Sequence, residues 1–189
     1  MDPLIFIVII SVLGPIIGSF LGVLKYTSDR IVYNMLAFAA GIMITISFLE
    51  LIPEALELSA PLVVVAGIFA GAVFMYFLDR FIPHFHPDPV SAIKENCACS
   101  EEDAKKLKRM SRTAKYLIAG IFFHNFPEGM AIAAMQDPRV GITVALAIAI
   151  HNIPEGICTS APYYHATGNK LKAFLLSSST AIPVLLGFL

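Results

Sequence analysis

A helix needs about 20 apolar residues to cross the hydrocarbon core of a bilayer. This chain of 189 residues supplies six stretches near that length: Leu4 to Leu24, Asn34 to Pro53, Pro61 to Leu78, Tyr116 to Met135, Val140 to Ala161, and Leu171 to Leu189. No other feature narrows the choice of fold as much, and it predicts an all-α integral membrane bundle of six spans. A soluble domain carries about a quarter of its residues as charges, whereas here 57% are hydrophobic and 14% are charged. The formal net charge of -1 leaves no basic face for nucleic acid. Cys97, Cys99 and Cys158 are too few and too oddly placed for a disulfide framework. The N-terminus has no basic stretch before its apolar run, so that run reads as a retained span rather than a cleaved signal.

The chain is expected to form one transmembrane domain over residues 1–189, with short connections and one long polar loop over about residues 80–115. Antiparallel neighbours follow from the short connections. Orientation is set by Lys and Arg, which accumulate on the cytoplasmic side. Twelve of the 13 fall with the long loop, and Arg139 alone falls on the other side. The N-terminus is therefore expected outside and the long loop in the cytoplasm, in the cell (plasma) membrane. Leu189 falls at the end of the sixth span with no polar tail after it, so the chain is expected to be a piece of something longer.

Ionisable groups inside membrane helices are costly and by default mark pathways or sites. Four of them lie in two copies of one hexapeptide, His124-Asn125-Phe126-Pro127-Glu128-Gly129 and His151-Asn152-Ile153-Pro154-Glu155-Gly156. On a helix of 3.6 residues per turn, positions i, i+1 and i+4 share an arc of roughly 100°. The turn between the two spans centres near Pro138, 14 residues after His124 and 13 before His151. Both histidines should then lie roughly 20 Å from that turn, with Glu128 and Glu155 on opposite sides of that level over a length of roughly 10 Å. Such a layout has room for two adjoining metal positions.

Imidazole nitrogen and carboxylate oxygen suit zinc and its first-row neighbours, and the absence of a thiolate cage favours release over storage. Pro127 and Pro154 lack the amide hydrogen of a continuous helix, so kinks beside the ligands are expected. Gly129 and Gly156 should allow close backbone approach at the same level. A single intramembrane histidine is ordinarily a hydrogen-bonding residue, and a single proline a tolerated kink. Duplication at matched depth separates this pattern from those ordinary roles.

Weaker candidates lie elsewhere. Glu50 in the second span could pair with a neighbouring helix or border a path, and Glu54 near its outer end could gather cations or be an ordinary interfacial acid. His84 and His86 in the long loop could catch metal, although a solvated loop is the more ordinary account of them. Cys158 reads as a small packing residue.

At these residues the chain resembles the ZIP family of zinc- and iron-transporting permeases, in particular the bacterial zinc-uptake type. Both hexapeptides carry the resemblance, with Ala40-Gly41-Ile42-Met43 leading to Leu51-Ile52-Pro53-Glu54-Ala55, a histidine-containing third loop, and Ala161-Pro162. The resemblance implies a binuclear site with His124, Asn125, Glu128, His151, Asn152 and Glu155 as metal ligands. It also implies an eight-helix inverted-repeat bundle, of which this chain carries six helices. The family's sixth helix often places a glutamate before a proline, where this chain has Ile182 before Pro183.

The function expected is transport of divalent transition-metal ions into the cytoplasm, Zn2+ first and Fe2+, Mn2+ or Cd2+ as further substrates, through a site between the fourth and fifth spans. The partners are those ions and the lipid bilayer, with a homodimer as a candidate assembly. Two other classes compete. An intramembrane metalloenzyme would want His-Glu-x-x-His or paired Glu-x-x-His, and neither string occurs. A metal-binding membrane subunit without transport is favoured only by the expected truncation.

Overall fold

The computed structural model describes residues 3–24, 28–81, 101–135 and 137–189. All regular structure among them is helical: α1 (Pro3–Leu24), α2 (Asp29–Ile46), α3 (Ile52–Leu58), α4 (Pro61–Phe81), α5 (Glu101–Ala134), α6 (Pro138–Thr167), α7 (Lys170–Ser178) and α8 (Ala181–Phe188). A π-helical turn, Ser47–Leu51, joins α2 to α3. Six of the resulting rods are long and apolar enough to cross a membrane: Phe6–Leu24, Arg30–Leu58, Pro61–Leu78, Leu107–Ala134, Pro138–Thr167 and Lys170–Phe188.

Local sequence explains the boundaries. Asp137 accepts the Arg139 amide at 2.8 Å and Pro138 takes the first helical position, which starts α6. Gly168 ends it in the left-handed conformation (φ 67°), and Asn169 caps α7 by accepting from the Lys172 amide at 2.9 Å. Pro53 has no N–H to give the Leu49 carbonyl, and the helix there takes up an extra residue, with Ile52 donating five residues back to Ser47.

Two departures from the apolar-length reading stand out. Helix α5 starts at Glu101, well before the apolar run at Tyr116, because hydropathy registers only the part that suits lipid. The last rod is interrupted at Ser179 and Thr180. There Pro183 cannot donate to the Ser179 carbonyl, which accepts from Ile182 instead at 3.0 Å.

Helices α1, α5, α6 and α7 with α8 pack together, and α2 lies on α6. The α1–α6 contact is parallel and backbone-close. Gly14, Gly18 and Gly22 face Ala149, Ile153 and Ile157, and a Cβ on any of the three would collide with α6 atoms. Small residues at every fourth position give membrane helices their close contacts in the absence of a hydrophobic drive. One apolar cluster gathers Ile7, Ile46, Ile132, Val144, Ala145, Ile148 and Val184. A second gathers Val23, Ala114, Tyr163 and Ala173 at the opposite ends of their helices. Between the two lies the polar layer of the molecule. Helix α4, by contrast, shows almost none of its surface to the bundle.

Candidate metal centre

The polar layer is built by α5 and α6. Both hexapeptides are continuous helix, with Pro127 and Pro154 inside α5 and α6. Asn125, Glu128, His151 and Asn152 are buried, and the His124 and Glu155 side chains are partly buried beside them.

Glu128 is the hub. Its Oε1 lies 3.2 Å from His124 Nε2 and 2.9 Å from His151 Nε2, and its Oε2 accepts from Asn152 Nδ2 at 3.4 Å. The other ring nitrogen of His151, Nδ1, is 3.0 Å from the Ala147 carbonyl. A carbonyl can only accept, so Nδ1 carries the hydrogen and Nε2 is the nitrogen turned to the site. A backbone acceptor behind a histidine is the outer support that metal-ligating imidazoles use to fix their orientation.

His124, His151 and Glu155 each offer a ligand atom, and the three atoms lie within 4.8 Å of one another. The grouping is therefore tighter than the backbone rise suggests. Side chains reach inward from successive turns, and the two histidines share the Glu128 carboxylate instead of lying at a level midway between two separated carboxylates.

Four buried side-chain oxygens among the described residues have no hydrogen-bond partner: Asn125 Oδ1, Asn152 Oδ1, Glu155 Oε2 and Ser178 Oγ. Unpaired buried acceptors are costly, and three of the four come from the paired hexapeptides. The two amides are held through their nitrogens, Asn152 by Glu128 and Asn125 by the Thr180 carbonyl at 2.8 Å. This leaves their oxygens free to accept. The donor set is thus imidazole nitrogen with carboxylate and amide oxygen, which suits zinc and its neighbours.

The Thr180 carbonyl was not foreseen. It belongs to the interrupted rod, 55 residues from Asn125, and the only trace of it in the sequence is Pro183, which breaks that rod. Ile182 is 49% exposed, so the side chain at the position where the resemblance puts a glutamate turns away from the bundle.

The motif glycines do not meet each other. Gly156 packs on Pro15, Gly18 and Ser19 of α1, and Gly129 packs on Val184 and Phe188 of α8. Each clamps its hexapeptide to a different neighbour. A buried hydroxyl group completes the α1 side: Ser19 Oγ is 2.6 Å from Ser177 Oγ, which also bonds Thr159 Oγ1 and donates to the Gly156 carbonyl at 3.2 Å.

Among the described residues, the weaker candidates contribute no atom to this cluster. Glu50 lies in the π-turn and Glu54 in α3, both partly buried. His84 and His86 lie outside the described residues. Cys158 is buried, with its Sγ 3.5 Å from the Val32 carbonyl of α2, in a packing role.

Comparison with known proteins gives a family and several relatives. The family model described as ZIP Zinc transporter matches residues 3–100 and 91–189. Proteins named Zinc transporter ZupT from Escherichia coli O127:H6 (strain E2348/69), E. coli O1:K1 and E. coli K12 (strain DH10B) are each 39% identical to the chain over 177 residues. The alignment covers 90% of this chain and 65% of each relative, so the chain spans a little under two thirds of their length. No solved structure gives a significant match. With the family model covering the chain almost from end to end, this multi-pass membrane protein belongs to the ZIP zinc transporter family.

Proposed function

We propose that the chain carries divalent transition-metal ions across the membrane, zinc foremost, through the cluster between α5 and α6. The observation that carries this reading is the convergence of His124, His151 and Glu155 ligand atoms within 4.8 Å, with Glu128 in contact with both histidines. The relatives' name, zinc transporter, supports zinc as the substrate. Fe2+, Mn2+ and Cd2+ suit the same nitrogen and oxygen donors. Asn125 and Asn152 add amide oxygens as softer-bound ligands that tune selectivity. Among the described residues no thiolate joins the cluster, since Cys158 faces α2, and nitrogen and oxygen ligands suit an ion that must leave again.

Equilibrium binding in detergent tests the site. Changing His124 or His151 to alanine is expected to weaken zinc or cadmium affinity roughly tenfold or more. Unchanged affinity in the double variant His124→Ala, His151→Ala would sink the assignment. Uptake of labelled zinc into proteoliposomes separates transport from binding alone. Peptide-cleavage and oxygen-consumption assays on the same vesicles address an enzyme.

The direction of transport proposed, into the cytoplasm, rests on the distribution of Lys and Arg, which places residues 80–115 inside. In intact cells a membrane-impermeant maleimide is therefore expected to leave Cys97 and Cys99 unmodified until the membrane is opened. Labelling from outside reverses the orientation and the proposed direction.

A further inference from the structure

Helix α5 continues for about four turns beyond its apolar run, out to Glu101. From Lys105 to Lys115 it carries six basic residues and no acid. At roughly 100° per residue, five of the six fall within an arc of roughly 120°: Lys105, Lys108, Arg109, Arg112 and Lys115. Lys105, Arg109 and Arg112 are exposed, and Lys108 and Lys115 are partly buried. Ser111, Ala114 and Ile118 occupy another face of the same turns and are buried. Ala114 packs there with Val23, Tyr163 and Ala173, so the basic segment is held on the bundle.

The basic arc runs on into an exposed apolar stripe of the same helix. Phe123, Phe126 and Met130 are exposed, and helical rotation puts all three within that arc. In a bilayer such a stripe meets acyl chains. Tyr116 lies within the arc between the two parts, at the level where tyrosine settles at a membrane–water interface. The headgroup layer beyond the hydrocarbon core is roughly 5–8 Å thick on each side. Counted along the helix from Tyr116, Lys115 and Arg112 lie within it, roughly 2 and 6 Å out, and Arg109 lies at its outer edge, roughly 10 Å out. Helical side chains lean toward the N-terminus, which here is away from the hydrocarbon and into that layer. An excess of Lys and Arg at one end orients a membrane protein wherever those residues sit, and a loop would serve. Confinement to one arc, in line with an apolar stripe, matches instead the shape of a phospholipid, with acyl chains along the stripe and phosphate at the basic end.

We propose that this face of α5 is a docking surface for anionic phospholipid, with Arg109, Arg112 and Lys115 holding the headgroup phosphate and Phe123, Phe126 and Met130 lying along the acyl chains. Guanidinium groups match phosphate oxygens two at a time and stay charged throughout the working pH range. On the orientation given above, the leaflet concerned is the cytoplasmic one, whose anionic lipids attract basic segments beside a span. Asn125 and Glu128 are buried on the opposite side of α5, so the surface stands apart from the metal cluster.

The test compares phosphatidylglycerol with phosphatidylcholine of identical acyl chains, each displacing a fluorescent phosphatidylglycerol from the full chain in detergent. The parent is expected to prefer phosphatidylglycerol roughly tenfold or more, and added salt should erode that preference. Arg109→Gln, Arg112→Gln and Lys115→Gln together should remove most of it while the protein melts close to the parent. A second variant keeps the charge count and turns one charge around the helix: Arg112→Thr with Thr113→Arg, at an exposed position. It is expected to lose roughly fivefold in phosphatidylglycerol affinity, which a mere surplus of charge at this end would not predict. Equal affinity for the two lipids in the parent, as when another helix or a second copy covers the face, overturns the proposal. An unchanged preference in either variant does the same. Displacement of the lipid by inorganic phosphate at constant ionic strength would make the arc a site for a soluble anion, and that too overturns it.

Discussion

Glu128→Ala is expected to cost zinc affinity about a hundredfold or more, the largest loss of any single change in the cluster. Removing an outer partner of a metal ligand alone costs roughly 10–100-fold, and Glu128 is nearer the centre than that. It touches His124, His151 and Asn152 at once, so its loss leaves three side chains without the partner that aligns them. The penalty extends to folding, since each buried polar group left unpaired costs about 1–3 kcal/mol. Glu128→Gln separates the two effects, because it keeps the volume and one acceptor but loses the charge. It is expected to melt close to the parent while still binding zinc far more weakly. Isothermal titration with zinc, run beside thermal melting in the same detergent, reads both quantities. Parental affinity in Glu128→Ala would show that the ion sits elsewhere.

Gly18→Leu is expected to abolish the folded bundle, although Gly18 touches no proposed ligand. A side chain at Gly18 would run into the Ile153 carbonyl, and the backbone of a helix cannot yield as a side chain can. Overpacking ordinarily costs about 1–3 kcal/mol, and a collision between two helix backbones belongs at or above the top of that range. Ile153 lies inside the second hexapeptide, between Asn152 and Pro154, so pushing α1 away would also displace the ligands of α6. Gly67→Leu is the matching control, because a Cβ on Gly67 meets nothing within 4 Å. Its expected change is within about 1 kcal/mol, the helix-propensity difference for losing glycine. Size-exclusion profiles and melting of the two variants decide the matter. A monodisperse, parent-like Gly18→Leu would show that α1 does not clamp α6.

Both predictions turn on how helices meet, and there the sequence and the tertiary structure divide the work. Apolar length alone determined the all-helical class and the six candidate spans, because a spanning backbone in lipid must satisfy its own hydrogen bonds. The duplicated hexapeptide, with His124 and His151 nearly equidistant from Pro138, determined which residues could share a level, because helical rise is a fixed quantity. Periodicity reports the face a residue occupies and says nothing of its partner across a contact. Only the packing decided that His124 and His151 share the Glu128 carboxylate, 23 residues before His151. Only packing brought the Thr180 carbonyl to Asn125 and seated Gly156 on α1 and Gly129 on α8.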